Sequence, residues 1–312
     1  TLKGVVTISD KISGRGQKKK QSVIKEEAIK LNLQVFDPIN MRDPQFVQEI
    51  KKLNLDISVV VAFKKIPKII YEIPKLGTIN LHASLLPQYR GAAPINWAIV
   101  NGETKTGLTT FFINEKIDTG DIIMQSEVPI SIQDHVIETY NLLKDKSIDM
   151  IKETIRSVFQ NSYKRKKQKI NQENSLNSAP KITKDHLKLE IEHFEKHPLI
   201  KLYNYIRGMS NYGVKINIIY IKYKSEIQEE IKKTIIITRI NNYYEEKQVK
   251  IKNKIHFNTT QKNQIIITNG KSLFNIEKLK TENGKEMSAK EFYNGFINGN
   301  HQLNKIIFDR SS

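Results

Sequence analysis

Short β-branched runs alternate with amphipathic helical patterns through the first half of the chain. Residues 5–8 read as a strand, 22–31 as a helix and 33–36 as a second strand. Asp43 then offers an N-cap side chain and Pro44 the first helical position, which predicts a helix running to about Leu53. The run 57–63 is apolar apart from Ser58, as expected of a buried parallel strand. A short helix over 67–72 and a strand over 78–81 complete a βαβ alternation, which predicts an α/β fold with a doubly wound, mostly parallel, Rossmann-like sheet. Sheets of this kind usually open with a further strand and helix. Here the first strand follows Thr1 almost at once, so a preceding strand–helix unit is expected to be missing, by truncation or a misplaced start.

Residues 134–160 carry the pattern of a long helix, with Asp134 as N-cap and apolar positions at Ile137, Leu142, Ile148, Ile151, Ile155 and Val158. From 161 to 180 the chain turns polar and lysine-rich, as a linker does. A helical pattern over 197–207 precedes a β-rich half with strands expected at 215–223, 234–240, 248–255, 264–268 and 273–279. Asn269-Gly270 and Glu282-Asn283-Gly284 mark turns. Several short strands in about a hundred residues predict a small barrel or sandwich. The organisation expected is therefore an α/β domain over 1–160, incomplete at its N-terminus, a basic linker over 161–182, and a helix plus small β-rich domain over 183–312.

Composition narrows the picture modestly. At 312 residues two domains are the natural expectation, and no apolar run approaches the roughly 20 residues of a membrane span. Cysteine is absent, which excludes disulfides and thiolate metal sites. The net charge of +18 suggests a polyanionic partner, yet only eight of the 51 basic residues are Arg, so lysine-rich drift accounts for part of it. His193 and His197 flank Glu195 without a third ligand, so no metal site is expected, and His135 and His186 read with them as surface histidines. Trp97 reads as core packing. Asp121 reads as support for the turn beside it, and Asn96 as either a pocket neighbour or a helix-surface residue.

The chemistry concentrates between Gly77 and Asp121. Asn80 and His82 lie two apart at the end of a strand, so their side chains share a face and leave the C-terminal edge of the sheet, where open α/β folds bind ligands. Ser84-Leu85-Leu86-Pro87 makes a stiff loop immediately after them, and Asp118 follows in a turn before Gly120. An amide, an imidazole and a carboxylate suit acyl transfer to an amine. Asn80 can donate to a developing oxyanion, His82 can donate or shuttle a proton, and Asp118 can orient His82.

These residues, in this order and with Asp118 following Asn80 by 38 positions, resemble the signature of the folate-dependent formyltransferases. The resemblance implies that Asn80, His82 and Asp118 are catalytic, that Ser84, Leu85, Leu86 and Pro87 line the folate site, and that 10-formyltetrahydrofolate is the formyl donor with no metal required. Three further features resemble the branch of that family acting on methionyl-tRNA. Gly14-Arg15-Gly16-Gln17-Lys18-Lys19-Lys20 is similar to its basic tRNA-gripping loop, which makes Arg15, Lys18, Lys19 and Lys20 tRNA-contact candidates. Residues 179–186 resemble its bridge to the C-terminal domain, whose family counterpart is an OB-like β-barrel that contacts RNA, and Glu286-Met287-Ser288-Ala289 resembles a motif near that domain's end. Ser210-Asn211-Tyr212-Gly213 replaces an aromatic, proline-rich stretch of the family. The expected function is formyl transfer to the α-amine of methionyl initiator tRNA, by a monomer in the cytoplasm of a bacterium or in an organelle of bacterial descent, with no membrane partner. The rival readings are a folate-dependent formyltransferase or hydrolase acting on a small amine, and a decayed, non-catalytic tRNA-binding protein.

Overall fold

The apolar run expected as a buried strand forms Ser58–Val61, paired in parallel with Thr78–His82. The structure is a computed structural model that describes residues 1–13, 18–169, 176–224, 227–245, 255–258, 264–297 and 305–308. The chain separates into two compact units: residues 1–82, 109–125 and 149–169 form one, and residues 83–108, 126–148 and 170–312 the other.

In the first unit Asp43 caps the helix Pro44–Lys52 as expected, its carboxylate accepting from the N–H groups of Gln45 at 2.8 Å and Phe46 at 3.3 Å. Ser22 does the same for Val23–Lys30 through the N–H of Lys25. Phe46 and Ile50 pack with Phe36 and Met41 in one small core, and Ile79, Phe112 and Val158 form another. Val5–Val6 and Val35–Phe36 pair in parallel as a two-stranded sheet of their own. The larger sheet runs in the order Ser58–Val61, Thr78–His82, Lys105–Phe112, Ile122–Pro129. Its second and third strands are antiparallel, so the Rossmann-like sheet is mixed. Ser58–Val61 is also less enclosed than its composition suggested, because Val59 and Val61 turn one face of an outer strand outward.

The long helix spans Val136–Phe159. Asp134 does not cap it; its carboxylate turns back to accept from the N–H of Ser131 at 2.7 Å, while Glu138 reaches back to the N–H of His135. None of the helices among the described residues is long and apolar enough to cross a membrane.

In the second unit an antiparallel sheet runs His256–Asn258, Ile265–Thr268, Ser272–Thr281, Ile227–Glu245, Val214–Lys224, Lys305–Phe308, with Met287–Ser288 added beside Ser272–Thr281. The rings of Phe257 and Phe308, on its two outermost strands, stack at 4.1 Å. The sheet therefore curls until its edges approach, giving a half-barrel. Helix Leu199–Gly208 fills the concave side, burying Leu202, Tyr203 and Ile206 against Ile218, Ile237 and Phe274. Asn269-Gly270 makes the expected turn, with the Asn269 side chain accepting from the N–H groups of Lys271 and Ser272. The strand expected at 234–240 is far longer, Ile227–Glu245, and is bent by register shifts near Arg239 and Tyr244. The strand expected at 248–255 falls almost wholly outside the described residues.

Candidate active site

Asn80 and His82 sit in Thr78–His82 with strands paired on both sides, Asn80 in register with Val60 and Phe111 and His82 with Thr109. Being two apart, they share a face of the sheet. His82 is buried, and its Nδ1 lies 3.8 Å from Oδ2 of Asp118, which is nearly as enclosed. That separation is an electrostatic contact, longer than a hydrogen bond, and a shift of less than an ångström would close it. Oδ1 of Asn80 is buried with no hydrogen-bond partner among the described residues. An unpartnered buried amide oxygen costs free energy, and in a site it marks a group suited to a polar ligand.

The turn carrying Asp118 is built from several sides. Asn114 Oδ1 accepts from the N–H of Lys116 and the hydroxyl of Thr119. Asp118 itself has φ +54°, a left-handed conformation that non-glycine residues seldom adopt. Two residues on, the chain passes so close to the preceding strand that a Cβ on Gly120 would meet the carbonyl oxygen of Phe112 at 1.7 Å. Asp121 supports the turn through its backbone, its carbonyl accepting from the N–H of Phe112 at 3.0 Å. From a segment some fifty residues further along the chain, Gln168 donates to the carbonyls of Asp118 at 3.0 Å and Gly120 at 2.8 Å. An antiparallel bridge joins Ile122 and Lys166, and the Arg165 guanidinium lies 4.3 Å over the Phe112 ring. Residues 163–169, expected to be the start of a linker, are thus packed along this turn. Nothing along the chain singles out Gln168, which is hidden among lysines.

Ser84, Leu85, Leu86 and Pro87 belong to the second unit. The hydroxyl of Ser84 donates to the carbonyl of Gln88 at 2.7 Å, Leu86 is buried, and the Leu86–Pro87 peptide is cis. Tyr89 anchors the end of this loop. Its hydroxyl donates to Glu103 at 2.6 Å and accepts from Asn101 and Asn177, and burial pushes its phenol pKa well up, with the Glu103 contact adding to it. Arg90–Gly91 pairs in parallel with Ser178–Ala179, so the end of the expected linker is a strand against this loop. Trp97 is only partly core: its indole N–H donates to the carbonyl of Pro180 and its ring meets His186 edge-on.

Arg15, like Gly14, Gly16 and Gln17, lies outside the described residues, and Lys18, Lys19 and Lys20 form a strand paired with Lys11–Ser13. His193 and His197 are exposed, and no group of metal ligands occurs among the described residues. His135 is not a surface residue; it is buried and its Nε2 accepts from the N–H of Ile240 at 3.3 Å. Asn96 is buried as well, its amide bonded to Gly208 and Asn211. Neither burial could be read from sequence, because the partners lie more than a hundred residues away.

Residues 2–155 match the formyl transferase family and residues 188–297 its formyl transferase, C-terminal domain. A methionyl-tRNA formyltransferase of Flavobacterium psychrophilum is 44% identical over 67% of this chain, and the match spans 64% of that relative's length. That of Flavobacterium johnsoniae is 37% identical over 94% of this chain and 87% of its own. Among solved structures, an N-formyltransferase from Helicobacter canadensis in complex with folinic acid and dTDP-3-aminofucose shares the fold, with a TM-score of 0.57 at 22% identity over 86% of each chain. The chain belongs to the formyl transferase family, among the members named methionyl-tRNA formyltransferases.

Proposed function

We propose that this chain transfers the formyl group of 10-formyltetrahydrofolate to the α-amino group of methionyl initiator tRNA. The observation that carries the reading is the meeting of His82 and Asp118 at 3.8 Å beside Asn80, whose buried amide oxygen has no partner among the described residues. The naming of the Flavobacterium relatives directs it to methionyl-tRNA.

In this reading the amine forms a C–N bond to the formyl carbon and the bond from that carbon to N10 of the carrier breaks. Asn80 presents its amide N–H to the oxygen that becomes anionic in between, and His82 adds a second donor. Preorganised donors of this kind are worth on the order of 3 kcal/mol each in the barrier. Asp118 orients His82 and takes part in moving the proton lost by the amine toward the departing N10. Ser84, Leu85, Leu86 and Pro87 form the folate-lining loop, held by Tyr89 and the pairing of Arg90–Gly91 with Ser178–Ala179. Arg15, Lys18, Lys19 and Lys20 supply tRNA contacts through charge and, for Arg15, a bidentate fork. Residues 1–160 serve as the catalytic domain, 161–182 as the basic connection and 183–312 as the tRNA-contacting part, in a cytosolic monomer that needs no metal.

The test is a formylation assay with purified protein, 10-formyltetrahydrofolate and initiator tRNA charged with methionine, beside uncharged tRNA and free methionine. Formyl on methionine only in the charged sample is the expected result. Formylation of a small amine, or formate release without tRNA, would move the protein to another branch of its family. Binding of tRNA without turnover would support the decayed enzyme instead.

A further inference from the structure

Gln168 lies within the basic stretch Lys164-Arg165-Lys166-Lys167-Gln168-Lys169, which the sequence marks only as a connection. Lys164, Lys166, Lys167 and Lys169 are exposed, whereas Gln168 is half-buried and turns inward. Its amide nitrogen donates to the carbonyl of Asp118 at 3.0 Å and to that of Gly120 at 2.8 Å. A primary amide has two N–H bonds, and two carbonyls converging on one nitrogen use both. The register that brings Gln168 there is set two residues earlier, where Lys166 and Ile122 exchange backbone hydrogen bonds of 2.9 Å each.

The first residue tied by this amide is under conformational load. Asp118 occupies the left-handed region at φ +54°, and residues held there persist only when surrounding contacts define them. The Gln168 amide ties the carbonyl of Asp118 itself and that of Gly120 two residues later, in addition to the turn's internal Asn114 contacts. We infer that Gln168 is a positioning residue: its amide fixes the turn that presents the Asp118 carboxylate to His82. The inference rests on the reading of Asp118 and His82 as catalytic residues. A merely structural Gln168 would tie down its own segment without setting the approach of the carboxylate.

The experiment compares the full chain with Gln168→Met, which keeps length and bulk and removes both donors. Steady-state formylation is measured in the native background, single-turnover formylation in the Asp118→Asn background, and deuterium exchange along the whole chain. In the native background kcat is expected to fall on the order of 10- to 100-fold, because an ångström-scale misplacement costs that much, while KM for tRNA and donor stays within about twofold. On the Asp118→Asn background the added loss is expected to be under about twofold, because the group being positioned is already disabled. Deuterium uptake in peptides covering 113–122 should quicken about fivefold or more, with peptides covering 199–208 and 272–281 unchanged. A kcat within about twofold of the parent overturns the inference, as does an equal loss on both backgrounds. Uniformly faster exchange, or unchanged exchange at 113–122, also overturns it. If the parent protein lacks formylation activity, the functional reading fails, and the exchange data still decide whether Gln168 holds the turn.

Discussion

The side-chain amide of Asn96 donates to the backbone carbonyl of Gly208 at 2.7 Å and to Oδ1 of Asn211 at 2.9 Å. Both N–H bonds of one buried amide thus tie the helix Pro94–Val100 to the end of Leu199–Gly208, 112 residues further on. Nearby, the buried guanidinium of Arg207 donates to Asn204 and to the carbonyls of Ser131 and Asp134. These polar ties add to the apolar packing of Trp97 and Val100 against the core around Leu199–Gly208, so part of the seam's strength depends on complete pairing.

Asn96→Leu preserves volume and leaves both acceptors without a donor. Stability should fall by about 1–3 kcal/mol, read as a lower urea midpoint at unchanged slope. A change of only a few tenths would mean that the amide is not part of the tie.

Asp118→Asn and His82→Ala should each lower kcat by about 10²–10⁴-fold while tRNA affinity stays within a few-fold. Kinetics paired with equilibrium tRNA binding separate the two quantities. Collapse of binding in either variant would contradict the roles proposed for these side chains.

Gly120 and Gly295 make a matched pair of tests. A Cβ at 120 meets backbone of Phe112 at 1.7 Å, whereas at 295 nothing lies within 4 Å. Gly120→Ala should cost at least about 1–3 kcal/mol and lower kcat by displacing the Asp118 turn. Gly295→Ala should change stability by no more than about 0.5 kcal/mol. Thermal melts and formylation rates on both variants check this, and equal behaviour would refute the close approach.

His135 predicts a pH dependence of stability. Burial, helped by Arg239 and opposed by Glu138, holds its pKa below the usual imidazole value. The unfolded chain therefore takes up the proton more readily. The contribution of His135 is complete above about pH 6.5 and is lost as pH falls from there toward its folded-state pKa. His135→Gln, which keeps an acceptor for the Ile240 N–H but cannot titrate, should show a shallower loss of stability as pH falls below about 6.5. Parallel slopes for the two proteins would rule out this residue as the source.

Arg15→Ala should weaken tRNA binding and reduce the slope of log K against log salt by about 0.7–0.9, one phosphate contact's worth. An unchanged slope would return the loop to an ordinary solvated surface.

Where a rule acts within a few residues, the sequence carried the answer. Asp43 before Pro44 specified a capped helix, Asn269-Gly270 a turn, and the spacing of Asn80 and His82 a shared face, because each depends on local backbone geometry. The motif spacing likewise carries the family's signature in the sequence itself. Distance along the chain marks where this stopped. Lys232 and Lys233 sit mid-strand in Ile227–Glu245, a strand whose length is set by its partners on both sides. The basic stretch after Phe159 looked like a tether until its bridge to Ile122 and the inward turn of Gln168 gave it a place.

The sequence by itself thus determined the element types, the α/β-then-β order and the three residues on which the proposed chemistry rests. The tertiary structure alone decided that Asp118 reaches His82. That meeting depends on a left-handed turn, on a glycine pressed against Phe112 and on an amide donated from 48 and 50 residues away. It likewise decided that His135 is buried and that Asn96 is a tie. Local propensity falls silent there, because the partner that satisfies or desolvates a polar group is chosen by packing between distant segments.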